Sequence, residues 1–155
     1  MKGNREIIDL LNDVLAGELV AISQYFLHAK MCANWGFGVL AAKIRAESID
    51  EMKHADQLIE RLLFLEGLPN LQKLGTLHIG QTVPELFKSD LDLEYAAIKR
   101  LNDGIALCRT KADNASEALL TEILVSEEKH VDWIETQLSL IAQLGDKAYL
   151  AEQLR

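Results

Sequence analysis

The sequence predicts an all-α protein: a four-helix bundle made of two helical hairpins joined by a long crossover between the second and third helices, with a short fifth helix at the C-terminus. Three observations carry this. Four long stretches repeat apolar residues every three or four positions. Pro occurs twice and Gly nine times in 155 residues, too little turn material for an all-β fold. The one long aperiodic stretch, Gly67 to Gln81, lies between the second and third periodic segments.

The first helix is expected over about 5–34, with Asn4 as N-cap, the stripe Ile7, Leu11, Val14, Ala21, Tyr25 and Ala29, and a stop at Asn34-Trp35-Gly36. The second, about 38–66, should stop at Gly67, with Pro69 just beyond. Thr82-Val83-Pro84-Glu85 is a capping box with Pro in the first turn, opening a third helix over 83–111. Its stripe is Phe87, Leu91, Ile98, Leu101, Ile105 and Cys108. The fourth, 114–144, presents Leu120, Ile123, Ile134, Leu138 and Ile141 and ends at Gly145. Helices of ~28 residues span ~42 Å. Short joints force each hairpin to be antiparallel, and 15 crossover residues reach ~50 Å when extended, enough to run the bundle's length. The tail, 146–152, forms about two turns, too short to persist alone, so it either docks on a surface, of this chain or another subunit, or frays. Residues 1–155 are expected to form a single domain.

A formal charge of -8 excludes nucleic acid and anionic membrane as main partners, both of which need a basic surface. No apolar run approaches the ~20 residues of a membrane span, and the first residues hold no apolar signal core. Cys32 and Cys108, far apart in sequence, read as reduced thiols. A cytoplasmic protein is expected.

Two Glu-x-x-His sequences stand out, Glu51 to His54 and Glu127 to His130. With 14 Glu and four His, chance supplies ~0.4 such motifs. Residues three apart share a helix face, so each pair can ligate together. Glu18 interrupts the first apolar stripe, and Glu94 the third. A carboxylate in a core stripe costs several kcal/mol unless it is paired or bound to metal. The interval from Glu18 to Glu51 equals that from Glu94 to Glu127, so one constant offset carries the first half of the set onto the second. Four carboxylates balance two divalent cations, and a mixed O/N donor set favours Fe, Mn or Zn over Mg²⁺ or Ca²⁺. One Glu from each of two helices with Glu-x-x-His from the other two is the donor set of ferritin-like di-iron proteins. The competing reading places these Glu residues on solvated faces beside ordinary core histidines.

Other candidates carry less. Tyr25, two turns past Glu18, either supplies an electron or is a hydrogen-bonded core tyrosine. Glu47 and Asp50, just before Glu51, either steer iron or, as the default reading, form a solvated acidic face; Trp133 reads as packing, and His28 and His78 as surface residues. Met52 faces away from the ligands, beside Arg45, Ile49, Ala55, Asp56 and Ile59, and reads from the residues alone as an interface filler.

Three stretches are more specific: Glu18 to His28 (ELVAISQYFLH), Glu47 to Asp56 (ESIDEMKHAD) and Ile59 to Leu71 (IERLLFLEGLPNL). Through them the chain resembles the bacterioferritins over essentially its full length. The resemblance implies a ferritin-like fold, iron storage, and a ferroxidase that oxidises Fe²⁺ with O₂ or H₂O₂. In that reading Glu51 and Glu127 bridge two irons, with Glu18/His54 and Glu94/His130 as terminal pairs. It also implies a 24-subunit shell built from dimers, of one or two subunit types, haem b held by Met52 from two facing subunits, and an electron-donor protein for iron release. Many relatives carry Tyr and His where this chain has Arg45 and Ala46. Ala46 offers no ligand, so an inner-wall iron site is not carried over with the rest. The rivals are a di-iron peroxidase or oxygenase without storage, for which the chain is short, and a metal-free helical assembly protein.

Overall fold

The computed structural model describes residues 1–155 and is entirely helical: α1 Arg5–Asn34, α2 Gly38–Phe64, α3 Val83–Thr110, α4 Asn114–Leu144 and α5 Asp146–Ala151. No helix is long and apolar enough to cross a membrane. Side-chain caps set three helix starts. Asn4 Oδ1 accepts from the Glu6 N–H at 2.8 Å, and Thr82 Oγ1 from that of Glu85 at 3.3 Å. Asp113 Oδ1 accepts from the Ser116 N–H and also from Arg61 of α2, at 3.0 and 2.9 Å. The Glu85 carboxylate reaches back to the Gln81 N–H instead of Thr82, so the expected box closes one residue early.

The helix ends differ from expectation for a local reason. α2 stops at Phe64, two residues early, because Glu66 adopts φ 60. The Gly67 N–H then bonds Leu62 O at 2.9 Å and that of Glu66 bonds Leu63 O at 3.1 Å, a Schellman closure. Gly67 is needed for close approach instead, since a Cβ there would meet Ile8 Cγ2 at 2.8 Å. The two hairpin joints are built alike. Gly36 (φ 91) and Ala112 (φ 57) are the left-handed residues, and the Phe37 and Asp113 N–H groups close onto Cys32 O and Cys108 O, both at 2.9 Å. These residues pair at the same offset as the Glu and His set, so the repeat extends to the turns. Both thiols are free and fully buried.

α1 lies along α2 and α3 along α4; the hairpins meet chiefly through α1 and α3, while α2 and α4 hardly touch. The core is two apolar clusters. One holds Ile7, Leu11, Leu15, Leu58, Leu101 and Leu120. The other holds Tyr25, Cys32, Leu40, Ile44, Phe87 and Ile134. The tail docks on its own chain. Tyr149 is buried, donates its hydroxyl to Gln137 Oε1 at 2.7 Å and meets Phe87 edge-on at 6.5 Å.

The crossover is tied down by side chains of α1. Asn12 donates to Leu68 O and accepts from the Asn70 N–H, at 3.1 and 2.8 Å. Gln24 Oε1 accepts from the His78 N–H at 3.0 Å, and His28 Nε2 from that of Gly80 at 3.1 Å. His28 is therefore not a surface residue: it is fully buried, and with Nε2 accepting, its Nδ1–H donates to Asp90 Oδ1 at 2.9 Å. Gln24 donates to the same oxygen at 2.8 Å. His78 is exposed, as expected.

Asp90→Ala leaves two buried donors without an acceptor and loosens the crossover. It should cost about 3 kcal/mol in chemical denaturation of the metal-free protein, while Lys88→Ala, on the exposed face of the same helix, stays within about 0.5 kcal/mol.

Candidate metal centre

Between the two apolar clusters lies a polar layer. Glu18 comes from α1, Glu51 and His54 from α2, Glu94 from α3, and Glu127 and His130 from α4. None is more than 8% exposed. Their ligand atoms form two overlapping groups, Glu18/Glu51/His54/Glu127 and Glu51/Glu94/Glu127/His130, each with all atoms within 4.8 Å of one another. Glu51 and Glu127 belong to both groups, the positions a pair of bridging carboxylates needs.

The two imidazoles face the layer with the same atom. His54 Nδ1 lies 3.1 Å from Glu127, 3.5 Å from Glu51 and 3.6 Å from Glu18. His130 Nδ1 lies 3.1 Å from Glu51, 3.6 Å from Glu94 and 3.7 Å from Glu127. These contacts lack hydrogen-bond alignment. Eight buried side-chain N and O atoms in the molecule have no hydrogen-bond partner, and seven belong to these six residues. A protein does not normally leave that many orphaned acceptors in its core. Two cations would satisfy them and balance the four carboxylates, so the donor set fits a dinuclear centre.

Titration follows from the crowding. Burial, then the neighbouring Glu127, pushes Glu94 up to about 8. Burial disfavours charged His54, but the Glu127 and Glu51 carboxylates outweigh it and hold the imidazole protonated up to about 9. His130 is driven further the same way by Glu127, Glu51 and Glu94 against its own burial. The Tyr25 hydroxyl donates to Glu94, and burial and that carboxylate hold it well above its usual range.

Two expectations change. Glu47 is not on a solvated face: it is 2% exposed, its Oε1 is the eighth orphaned atom, and burial pushes it up to about 7. The signal was present, because positions 47, 51 and 54 fall on one helix face. Asp50 is half exposed, but its Oδ2 lies 3.7 Å from His130 Nε2. Trp133 packs edge-on against Phe87 at 5.6 Å, as expected. Met52 is half exposed on the outer side of α2 with Ile49 and Arg45, whereas Ala55 and Ile59 turn inward against the apolar core.

Clefts reach the layer from both flanks. One of about 500 Å³ between α1, α3 and the crossover is lined by Glu18, Glu127, His78, Asp92 and Arg100. The other, about 640 Å³, opens where α2 and α4 part and is lined by Asp50, His54, Glu122, Ser126 and His130.

Two antiparallel hairpins, a long crossover and a buried Glu/Glu-x-x-His layer define the ferritin-like class, and the ferritin family model, described as a ferritin-like domain, matches residues 8–144. The chain is 51% identical to a bacterioferritin of Mycobacterium bovis over 152 residues, 98% of this chain and 96% of the relative. It is 48% identical to a bacterioferritin of Streptomyces coelicolor, covering 97% and 90%, and 46% identical to one of Brucella melitensis, covering 96% and 92%. The chain belongs to the bacterioferritin family.

In the metal-free protein the layer binds protons in place of cations, so the folded state holds more protons than the unfolded one. Glu94 (4.5 to about 8) and His54 (6.5 to about 9) are both raised, so their contribution is greatest at low pH and is lost as pH rises through about 8 and 9. The melting temperature of chelator-treated protein should fall between pH 6 and pH 9; Glu94→Gln should flatten that slope.

Proposed function

We propose that this chain is an iron-storage subunit that oxidises ferrous iron at the layer between its apolar clusters and passes ferric iron into the cavity of a shell. Two overlapping buried donor groups sharing Glu51 and Glu127 carry the reading. Fe²⁺ is the substrate, with Glu18 and His54 terminal at one position, Glu94 and His130 terminal at the other, and Glu51 and Glu127 bridging. Two adjacent ferrous ions deliver two electrons together to O₂ or H₂O₂, which avoids one-electron release of radicals.

The residues do the rest. The carboxylates draw in cations through the cleft between α1, α3 and the crossover, where Glu18, Glu51, Asp92 and Glu127 outnumber Arg100, and the two apolar clusters fix the helices so that the donors need little rearrangement. Imidazole protons leave when iron arrives, because a ligating His must be neutral at the bonding nitrogen. Tyr25, through its hydroxyl on Glu94, is the oxidisable side chain bonded directly to a ligand and takes a redox role there.

The exposed apolar residues suit assembly. Phe26, Ile49, Met52, Leu71 and Leu74 are each between 42% and 90% exposed, and a subunit partner would cover them. We assign the assembly as a shell of 24 subunits built from dimers, of one or two subunit types, in the cytoplasm and with an electron-donor protein serving iron release. The Met52 side chain, half exposed beside Ile49, fits a haem b seated between two facing subunits, each giving its thioether; haem there supplies an electron path for that release.

Aerobic Fe²⁺ titration of metal-free protein should show a rapid ferric absorbance phase saturating at about two irons per chain, then slower uptake well beyond it. Glu127→Ala should abolish the rapid phase; an unchanged rapid phase rejects the six-residue site. Haem titration should saturate near about one haem per two chains, and Met52→Leu should lose the Soret signature of bis-thioether ligation while leaving the rapid iron phase intact.

A further inference from the structure

We infer that the two metal positions are unequal, and that the Glu94/His130 position takes the first divalent cation, because the polar groups around it have no counterparts in the other half of the repeat. The inference rests on the dinuclear reading above.

The internal repeat carries Glu18 onto Glu94, Glu51 onto Glu127 and His54 onto His130 at one constant offset. One layer further out the correspondence fails. Glu47 corresponds to Ile123, Asp50 to Ser126, Tyr25 to Leu101 and Gln24 to Arg100.

Three of these differences, at Glu47, Asp50 and Arg100, favour a cation on the same side. Glu47 is buried with Oε1 unpartnered, and lies within electrostatic reach of His130 and Glu94. A buried carboxylate that lacks a hydrogen bond and has only the Lys43 ammonium at 3.7 Å is relieved further when a cation arrives beside it. Its counterpart Ile123 is a fully buried member of the apolar cluster. Asp50 Oδ2 lies 3.7 Å from His130 Nε2, behind the nitrogen that faces the ligand carboxylates. A carboxylate behind a ligating imidazole orients the ring and strengthens it as a donor, whereas Ser126 brings no charge to the equivalent place.

On the Glu18 side the cleft brings a positive charge, Arg100, beside the carboxylate of Asp92. Arg100 lies against Gly17, where a Cβ would collide with its Nη1, so a guanidinium sits one residue from Glu18 and both line the same cleft. The opposing charges in the cleft at His130 are Lys43, 3.7 Å from Glu47, with Lys53 and Lys129; all three are exposed, and water screens them.

The test uses metal-stripped, full-length protein without oxygen, given one Co²⁺ per chain, with anomalous scattering from crystals locating the ion and calorimetry giving the affinity. In the wild type the anomalous peak should favour the Glu94/His130 position by ~10-fold. Asp50→Ser, alone and with Glu47→Ile, gives this half the residues of the other. First-equivalent affinity should drop ~10-fold and the two peaks should approach equality. Ser126→Asp, the mirror change, should move density toward the Glu18/His54 position. Asp50 is half exposed, so Asp50→Ser carries the test even where Glu47→Ile fails to fold. Equal peaks in the wild type, or a first ion at Glu18/His54, overturn the inference and leave the dinuclear centre standing. A wild-type preference unchanged in the Asp50 and Glu47 variants overturns it too. Absence of Co²⁺ binding brings down the dinuclear reading itself.

Discussion

Four carboxylates and two imidazoles buried in one layer set the terms for the rest of the molecule. An uncompensated charge in a protein interior costs several kcal/mol, and here four carboxylates compete for the same few ångströms. The layer therefore persists only with positive charge in it, as protons on Glu94, His54 and His130 or as metal cations. It also needs strong support on both sides. The apolar clusters above and below, with fully buried Leu11, Leu58 and Leu120 in one and Tyr25, Leu40 and Phe87 in the other, hold the four helices at the spacing that keeps the donors together. The bundle thus stores electrostatic stress in the middle and spends hydrophobic burial at either end to contain it.

Much of this was legible in the sequence, because helical periodicity exposes an interruption. Glu18 and Glu94 are visible as charged residues in apolar stripes, and their equal spacing from Glu51 and Glu127 makes the site a pattern instead of a coincidence. What escaped was decided by contacts between segments distant in sequence. His28 looked unpartnered because Asp90 and Gly80 lie 62 and 52 residues away. Glu47 was legible in principle, since it shares a helix face with Glu51 and His54, but the acidic run from Glu47 to Glu51 reads equally as a solvated face. The end of α2 was misplaced because Gly67 resembles a left-handed stop, while Glu66 takes that conformation and Gly67 serves to let Ile8 approach. The docking of Tyr149 on Gln137 and Phe87 was equally out of reach of a local reading.

The internal repeat is closest where backbone and metal demand it and loosest just outside. Ligands and hairpin joints coincide at the common offset, down to the closures on Cys32 and Cys108. The surrounding shell does not: on one side it carries Tyr25, Glu47 and Asp50, on the other Leu101, Ile123 and Ser126. On the proposed reading, a near-symmetric donor set inside an asymmetric shell would give two neighbouring ions different environments without altering the donors.

The crossover has hydrogen-bonded ends and a middle that only packs on α1, where Gly75 lies close against Val20. Asn12 holds it at Leu68 and Asn70, and Gln24 and His28 hold it at His78 and Gly80. Between them, residues 71–77 make no backbone hydrogen bond to the bundle; Lys73 meets Asp13 only through an exposed ion pair at 3.4 Å. Extra residues spliced into this stretch lengthen a loop whose ends are already fixed, and each doubling of such a loop adds only about 0.6 kcal/mol of closure entropy. The same stretch carries Leu71, Leu74 and Leu77, all exposed. A graft there is thus tolerated by the fold of the single chain, and in the proposed assembly it would obstruct a subunit covering those leucines, uncoupling folding from association.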